Sequence, residues 1–243
     1  MRFPFLGEVL QRLLRNRTAL AGGLIVLGFV LIATLADLLA PHDPLEQDLY
    51  NRLKPPVWEE GGERTHLLGT DDFGRDLLSR IIHGARLSLF IGTISVGISL
   101  VIGTLLGALA GFYQRGVDQC IMRLMDIMLA FPSILLAIAI VAMLGPKLRN
   151  AMIAVGVVGI PQYARIVRAS VLAQAQQEYV LAARSLGAQD FRLIFRTILP
   201  NSLAPLIVQS TLGFATAILD AAGLSFLGLG AQPPLPEWGA MLS

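Results

Sequence analysis

The chain is poor in charge, in cysteine and in aromatic residues. Of its 243 residues only 15% are Asp, Glu, Lys or Arg, where soluble domains carry about 25%. That deficit, with 54% hydrophobic residues, excludes an ordinary soluble domain and places the chain in a bilayer. A net charge of +2 lacks the basic excess of nucleic-acid binders, so nucleic acid is excluded as a partner. The single cysteine, Cys120, excludes an internal disulfide framework. The histidines, His42, His66 and His83, stand far apart in sequence. None pairs with Cys or Glu at a metal-ligand spacing, so no metal site is expected. The G-x-x-x-x-G-K-[ST] phosphate loop is missing, and no Ser/His/Asp or Cys/His set can be assembled. The expectation is a protein that is not an enzyme, takes no cofactor and does not itself hydrolyse ATP. Residues 1–17 are basic without a long apolar core, and the first apolar run is too long for a secretory signal.

Five apolar stretches are present. Ala19–Ala40 has 22 residues and one charge, Asp37. At about 1.5 Å per residue it covers about 33 Å, enough for a hydrocarbon core of about 30 Å. Leu87–Tyr113 and Ile127–Leu144 are uncharged, and Pro132 predicts a kink in the latter. Ala151–Ala164 is a shorter span that ends before Arg165. Ser202–Ala222 carries one carboxylate, Asp220.

Lysine and arginine set the orientation. Arg2, Arg12, Arg15 and Arg17 put the N-terminus in the cytoplasm. The loop 41–86, with six basic and nine acidic residues, is then external. Arg115 and Arg123 lie inside, as do Arg165, Arg168, Arg184, Arg192 and Arg196. Lys147 and Arg149 fall outside, a small violation. The fifth span leads out. The odd number of crossings points to an absent last C-terminal helix, with a true five-span protein as the alternative. The expected organisation is an N-terminal region 1–86, with the first span and an external loop, and a core 87–243.

The inner segment from Glu178 to Asn201 is polar and basic in an otherwise apolar chain. It reads as two short helices. Val180, Leu181, Ala183 and Leu186 form an apolar stripe on the first, and Gly187 can take the left-handed conformation that ends it. Asp190 is placed to cap the second. Phe191, Ile194, Phe195 and Ile198 form its stripe, with Arg192 and Arg196 on another face. Leu199, Pro200 and Asn201 stop the helix before the last span. Two readings fit: an interfacial helix pair under lipid headgroups, or a surface that docks another protein.

Outside, Gly69 and Gly74 allow tight turns, and Asp71 and Asp72 can cap backbone amides. From Asp76 the pattern is helical, with Leu77, Leu78, Ile81, Ile82 and Ala85 on one face. This segment either seals the entrance to the second span or contacts an external protein or substrate. Gly103, Gly107 and Gly111 recur at four-residue spacing, which favours close helix approach over mere tolerance of glycine in membranes. Asp220 either faces a cavity or snorkels to water.

The inner segment resembles the cytoplasmic coupling loop of ABC importer permeases, in which Glu-Ala-Ala is followed by Gly and then Leu-Pro. Ala182, Ala183, Gly187, Leu199 and Pro200 match; Leu181 and Thr197 depart from the pattern, and Glu178 lies one turn before it. Within that family, YVLAARSLGA is similar to the peptide-transporting branch. The segments from Arg15 to Pro44 and from Leu68 to Leu89 resemble the same branch, in the same order. The resemblance covers nearly the whole chain.

It implies an all-α, polytopic membrane bundle of the type I ABC importer permease kind. The expected function is the permease subunit of an ATP-driven importer for di- or oligopeptides, with nickel or glutathione as alternative cargo. The expected ATPase-coupling loop, 178–200, uses Glu178, Ala182, Ala183, Gly187, Asp190, Arg192, Leu199 and Pro200. Asp71, Gly74, Arg75 and Asp76 are expected at the outer gate or the binding-protein contact, and Asp220 on the pore. The implied partners are ATP-binding subunits, a second permease subunit, an external substrate-binding protein and membrane lipid. The implied location is the bacterial inner membrane, multi-pass. The rivals are an ion-gradient-driven secondary transporter and a membrane scaffold. Against the former, the span interiors are nearly free of charge and no half-to-half symmetry is visible.

Overall fold

The computed structural model describes residues 16–242. Arg2, Arg12 and Arg15, which carry most of the orientation argument, lie outside the described residues. The regular structure of the described chain is helical, and the chain divides into two compact units, one up to Leu89 and one from Phe90. Four helices are long and apolar enough to cross a membrane, or five if a bent pair counts as one span.

In the first unit, α1 is Arg17–Thr34, capped by the Asn16 side chain. It is apolar on all sides and its leucines and valines are exposed, as for a helix that faces lipid. A further turn, Ala36–Leu39, follows it. Arg86 closes this end: its Nε donates to Ala33 O at 2.9 Å and its Nη2 to Asp37 Oδ2 at 3.0 Å.

The stretch 40–76 has one 3-10 turn, Leu49–Asn51, and is otherwise irregular. It is held by backbone bonds between its two limbs: Leu53 N to Asp71 O, Thr70 N to Lys54 O, and Val57 N to Leu67 O. Gly69 and Gly74 have φ of +80° and +75°, and a Cβ on either would collide with a carbonyl, of Lys54 and Asp48 respectively. Both turns therefore require glycine.

Helix α2, Leu77–Tyr113, has 37 residues and runs from the first unit into the second. At about 1.5 Å per residue it spans about 55 Å, far more than the hydrocarbon core. The segment from Leu77 to Arg86 and the second span are thus one continuous helix. Of the apolar face expected at its start, Ala85 is buried, Leu77, Leu78 and Ile82 are half-buried and Ile81 is exposed, while Ser79 and Arg80 are buried as well. Polar groups are inward here because the irregular limb beneath needs partners. Arg80 Nη1, for instance, donates to Pro44 O at 3.2 Å.

In the second unit, α3 is Arg115–Leu129, α4 is Ser133–Leu144, and α5 is Leu148–Ala175. The expected kinked span Ile127–Leu144 is instead a break of 95° between α3 and α4. Pro132 has no N–H to give and disfavours a helical Phe131, so the chain turns sharply and α4 starts afresh. At 12 residues, α4 is about 18 Å long and cannot cross the core by itself.

The span expected to end at Ala164 continues to Ala175. Arg165 and Arg168 interrupt the apolar run but not the helix. Arg165 Nη2 pairs with Asp126 Oδ1 at 2.6 Å, and Arg168 makes a bidentate pair with Asp118, both carboxylates coming from α3.

Helix α6 is Glu178–Ser185. A continuous helical run, Asp190–Phe226, follows, whose α-helical body, α7, is Leu203–Phe226. The helix was expected to stop at Pro200. It continues because the hydrogen bonding shifts around the proline. Leu193–Ile198 is wound as a π-type turn, with Leu199 N donating to Ile194 O, and Leu199–Ser202 is a 3-10 turn. Asn201 Nδ2 then donates to Thr197 O at 2.7 Å and Ser202 Oγ to Ile198 O at 3.1 Å, which satisfies carbonyls freed near the proline.

The second unit is organised on α5, which packs against α3, α4 and α7. It also lies close against α2. A Cβ on Gly103 would lie 2.5 Å from Tyr163 Cβ, one on Gly107 would lie 2.4 Å from Ala164 O, and one on Gly111 would lie 2.8 Å from Arg168 O. The glycine stripe of α2 thus lies on the backbone of α5. Two serines extend the seam: Ser95 Oγ donates to Met152 O at 3.1 Å and Ser99 Oγ to Gly156 O at 2.6 Å. Such bonds average only about 0.6 kcal/mol in membranes, so the close packing dominates.

Replacing Gly107 by leucine should force the two helices apart at a cost of about 1–3 kcal/mol or more. Gly97, where an added Cβ meets nothing within 4 Å, is the matched control. In thermal unfolding of the purified transporter, Gly107→Leu should lower the midpoint by several degrees and Gly97→Ala should not. Equal midpoints would contradict the seam.

Candidate coupling segment and internal cavity

Residues 178–202 form a compact bracket between α5 and α7. Helix α6 ends in a paired-bond turn. Ala188 N donates to Ala183 O at 3.1 Å and Gly187 N to Arg184 O at 3.0 Å, with Gly187 at φ +82°. This is the two-bond glycine ending that satisfies the last carbonyls of a helix. The left-handed turn expected at Gly187 is present. Asp190 does not cap the next helix: it is the first helical residue, Gln189 stands in the cap position, and no side chain bonds there.

The stripes expected on the bracket are only partly buried. Val180, Leu193, Ile194, Ile198 and Leu199 are buried. Leu181, Leu186, Phe191 and Phe195 are exposed, Leu186 at 88% and Phe191 at 73%. Phe191 and Phe195 rings lie 4.7 Å apart. Of the expected coupling residues, Glu178, Ala182, Gly187, Asp190, Arg192 and Pro200 are exposed, Ala183 is half-buried and Leu199 is inward. The bracket therefore presents an apolar tip around its glycine turn and hides a smaller apolar face.

Polar contacts as well as the buried apolar face tie the bracket to the bundle. Tyr179 Oη donates to Gln174 Oε1 of α5 at 2.5 Å. The Arg184 guanidinium lies over the Phe112 ring of α2 at 5.5 Å. Neither pair follows any local pattern, so sequence reading gave no signal for them. At its far end the bracket is continuous with α7.

A cavity of about 390 Å³ lies within the second unit, lined by residues of α2, α3, α4, α5 and α7. Its polar wall is Ser99, Ser133, Gln162, Tyr163, Thr216 and Asp220. Asp220 is the one carboxylate among them. Gln209 Nε2 donates to Gln162 Oε1 at 3.1 Å, which ties α7 to α5 beside the cavity.

The four residues expected at the outer gate face inward. Asp71 accepts from Phe73 N at 2.9 Å, Arg75 N at 3.0 Å and Arg75 Nε at 2.7 Å, and so closes the turn about Gly74. Asp76 is the N-cap of α2, its Oδ2 accepting from Ser79 N at 2.8 Å and Ser79 Oγ at 2.7 Å. Burial pushes the Asp76 carboxyl up, but the Ser79 and His66 hydrogen bonds and the neighbouring His42 outweigh it and hold it below the usual range. Gly74, Arg75 and Asp76 are buried; Asp72 and Phe73 are the exposed residues of that turn. The structure also brings His42 and His66 to Asp76, ring centroids 4.8 Å apart, a convergence that spacing did not reveal.

The architecture is that of an ABC importer permease. The MetNI methionine ABC transporter, solved in an inward facing conformation, matches with a TM-score of 0.57 at 21% identity, over 64% of this chain and 77% of that one. At that identity the likeness shows the fold alone.

The sequence goes further. The description "Binding-protein-dependent transport system inner membrane component" matches residues 103–243, and "N-terminal TM domain of oligopeptide transport permease C" matches residues 4–56. The di/tripeptide transport system permease protein DppC of Pseudomonas aeruginosa is 57% identical, over 98% of this chain and 78% of that protein. The dipeptide transport system permease protein DppC of Escherichia coli is 52% identical, over 94% and 76%. The glutathione transport system permease protein GsiD of Pectobacterium atrosepticum is 47% identical, over 97% and 77%. The chain belongs to the permeases of binding-protein-dependent ABC importers, in the OppC/DppC family. It is a multi-pass inner-membrane transporter subunit, not an enzyme, and its system implies an ATPase and a binding protein as partners.

At φ +82° valine is strained whatever the space around it, and nothing lies within 4 Å of an added Cβ. A left-handed residue costs about 1–2 kcal/mol, more when β-branched. Gly187→Val should therefore lower the unfolding midpoint of the assembled transporter by up to a few degrees, while uptake falls more than ATP turnover does. Full uptake would contradict the role of the turn.

Proposed function

We propose that this chain is one of two related permease subunits of an ATP-driven importer of di- or oligopeptides, and that residues 178–200 couple it to the ATPase. The observation that carries the coupling reading is the apolar tip around Gly187, with Leu186 and Phe191 exposed on a bracket held by spans at both ends. An exposed apolar surface of that kind suits a protein partner. The substrate reading rests on relatives whose names state dipeptide or di/tripeptide transport.

In the mechanism proposed, the ATPase pair closes on ATP and displaces the bracket. The displacement reaches α5 through Tyr179, α2 through Arg184 and Phe112, and α7 directly through the chain. Rotation of α7 against α5 alters the cavity that Asp220 lines, and alternating access follows. Glu178, Ala182, Ala183, Asp190, Arg192, Leu199 and Pro200 shape or face the ATPase contact. An N-terminus in the cytoplasm puts the bracket on the ATPase side and the loop 41–86 outside, where a loaded binding protein docks. Asp71, Gly74, Arg75 and Asp76 then act as the frame of that outer surface, with Asp72 and Phe73 at its front.

The test uses the transporter purified with its companion subunits and reconstituted in vesicles. Dipeptide-loaded binding protein should raise ATP turnover several-fold and drive dipeptide uptake. Uptake that persists without ATP and collapses with the proton gradient would refute the reading. Stimulation by glutathione-loaded but not dipeptide-loaded protein would refute the substrate alone.

A further inference from the structure

Three polar side chains of the stretch 40–76 converge. His66 Nδ1 lies 3.0 Å from Asp76 Oδ1, and His42 Nδ1 lies 3.9 Å from the same oxygen. One ligand atom from each residue falls within 4.8 Å of the others. Asp76 is 2% exposed and His66 9%. His42 Nδ1 is buried and has no hydrogen-bond partner. At 3.9 Å it is too far from Asp76 to share a hydrogen bond, and a buried ring nitrogen left so is costly.

Ser79 fixes the arrangement. Its N–H and hydroxyl occupy Asp76 Oδ2, which leaves Oδ1 turned to the two rings. The same hydroxyl oxygen accepts from His42 N at 3.1 Å. A cavity of about 290 Å³ opens on the cluster, and four more carboxylates line it: Asp43, Glu46, Asp48 and Glu63. Lys54 neutralises Glu63, so the remaining wall is acidic. Such a concavity concentrates cations.

We propose that His42, His66 and Asp76 bind a divalent transition cation of the zinc class. Two imidazoles and a carboxylate, with a fourth position open to the cavity, form a nitrogen–oxygen set suited to that class. At metal–ligand bonds of about 2.0–2.2 Å, tetrahedral ligands sit about 3.3–3.6 Å apart. The two imidazole–carboxylate separations, 3.0 and 3.9 Å, bracket that value, and the whole set, within 4.8 Å, has to draw in by about 1 Å to close on a cation. The cation gives His42 Nδ1 its missing partner. It also ties together three sequence-distant points of an irregular stretch, the ends of which run into α1 and α2. The set is a clip for the loop and does not depend on the cargo of the importer.

The assembled transporter, stripped with a chelator and desalted, is titrated with Zn²⁺ against a chromophoric chelator, and separately with Co²⁺ followed by visible absorption. Wild-type protein should bind one more equivalent per copy of this chain than the His42→Gln/His66→Gln double variant. It should also show the intense visible bands of four-coordinate Co²⁺. His42→Gln removes no hydrogen bond of the ring, so the variant should fold, as checked by elution and unfolding midpoint; its affinity should fall at least 100-fold. His42→Asp, which keeps a ligand, should recover part of the binding. Ser79→Ala, which touches no cation, should weaken it about 10–100-fold. Equal Zn²⁺ binding by wild type and the double variant, or no loss in His42→Gln, would overturn the site.

Discussion

The close contact of α2 with α5 is the interaction on which the second unit is built. Three glycines of one helix rest on the backbone of the other, with Ala164 O and Arg168 O where side chains would otherwise be. In a bilayer no hydrophobic effect draws helices together, so contact area and small residues must do so. The serine bonds at Ser95 and Ser99 fix the register of that contact. A pair packed on backbone, without flexible side chains between, transmits displacement as a unit. Motion delivered to either helix is therefore delivered to both.

The bracket 178–202 reaches that pair twice, through Tyr179 on α5 and Arg184 over Phe112 on α2. Its other end is the start of the run Asp190–Phe226. The π-type and 3-10 turns before α7 are the natural place for strain, because their hydrogen bonds are wider or tighter than those of an α-helix. In the proposed mechanism the paired α2 and α5 form one side of the cavity, and α7, with Asp220, forms the moving side. The lever and the cavity are then two ends of one covalent element.

The pattern of apolar runs made the spans and the polar bracket legible, and Gly187 was legible because only glycine suits that turn. Helix boundaries were less so. Arg165 ends an apolar run, but its charge is met by Asp126 from another helix, so the helix goes on. Pro200 reads as a stop, yet the helical run passes through it as a π-type and a 3-10 turn, with the Asn201 and Ser202 side chains bonding the Thr197 and Ile198 carbonyls. Pro132 reads as a kink and is a break of 95° between two helices. The stripe through Leu181 and Leu186 has helical period but faces outward, because period tells which residues share a face and not whether anything covers it. The cluster of His42, His66 and Asp76 was invisible to spacing, since an irregular chain brings its members together. For Arg165 and for the histidine cluster the deciding partner is distant in sequence.

The central claim is that the apolar tip of the bracket carries work from the ATPase into the bundle. Its most direct measurement is site-directed cross-linking. With Cys120 replaced by serine, Leu186→Cys and Phe191→Cys are paired with single cysteines on the ATPase subunit, and cross-linking is followed with and without ATP. Efficient cross-links from both positions, with a yield that changes between the two nucleotide conditions, are the predicted result. The absence of any cross-link to the ATPase from either position would contradict the claim.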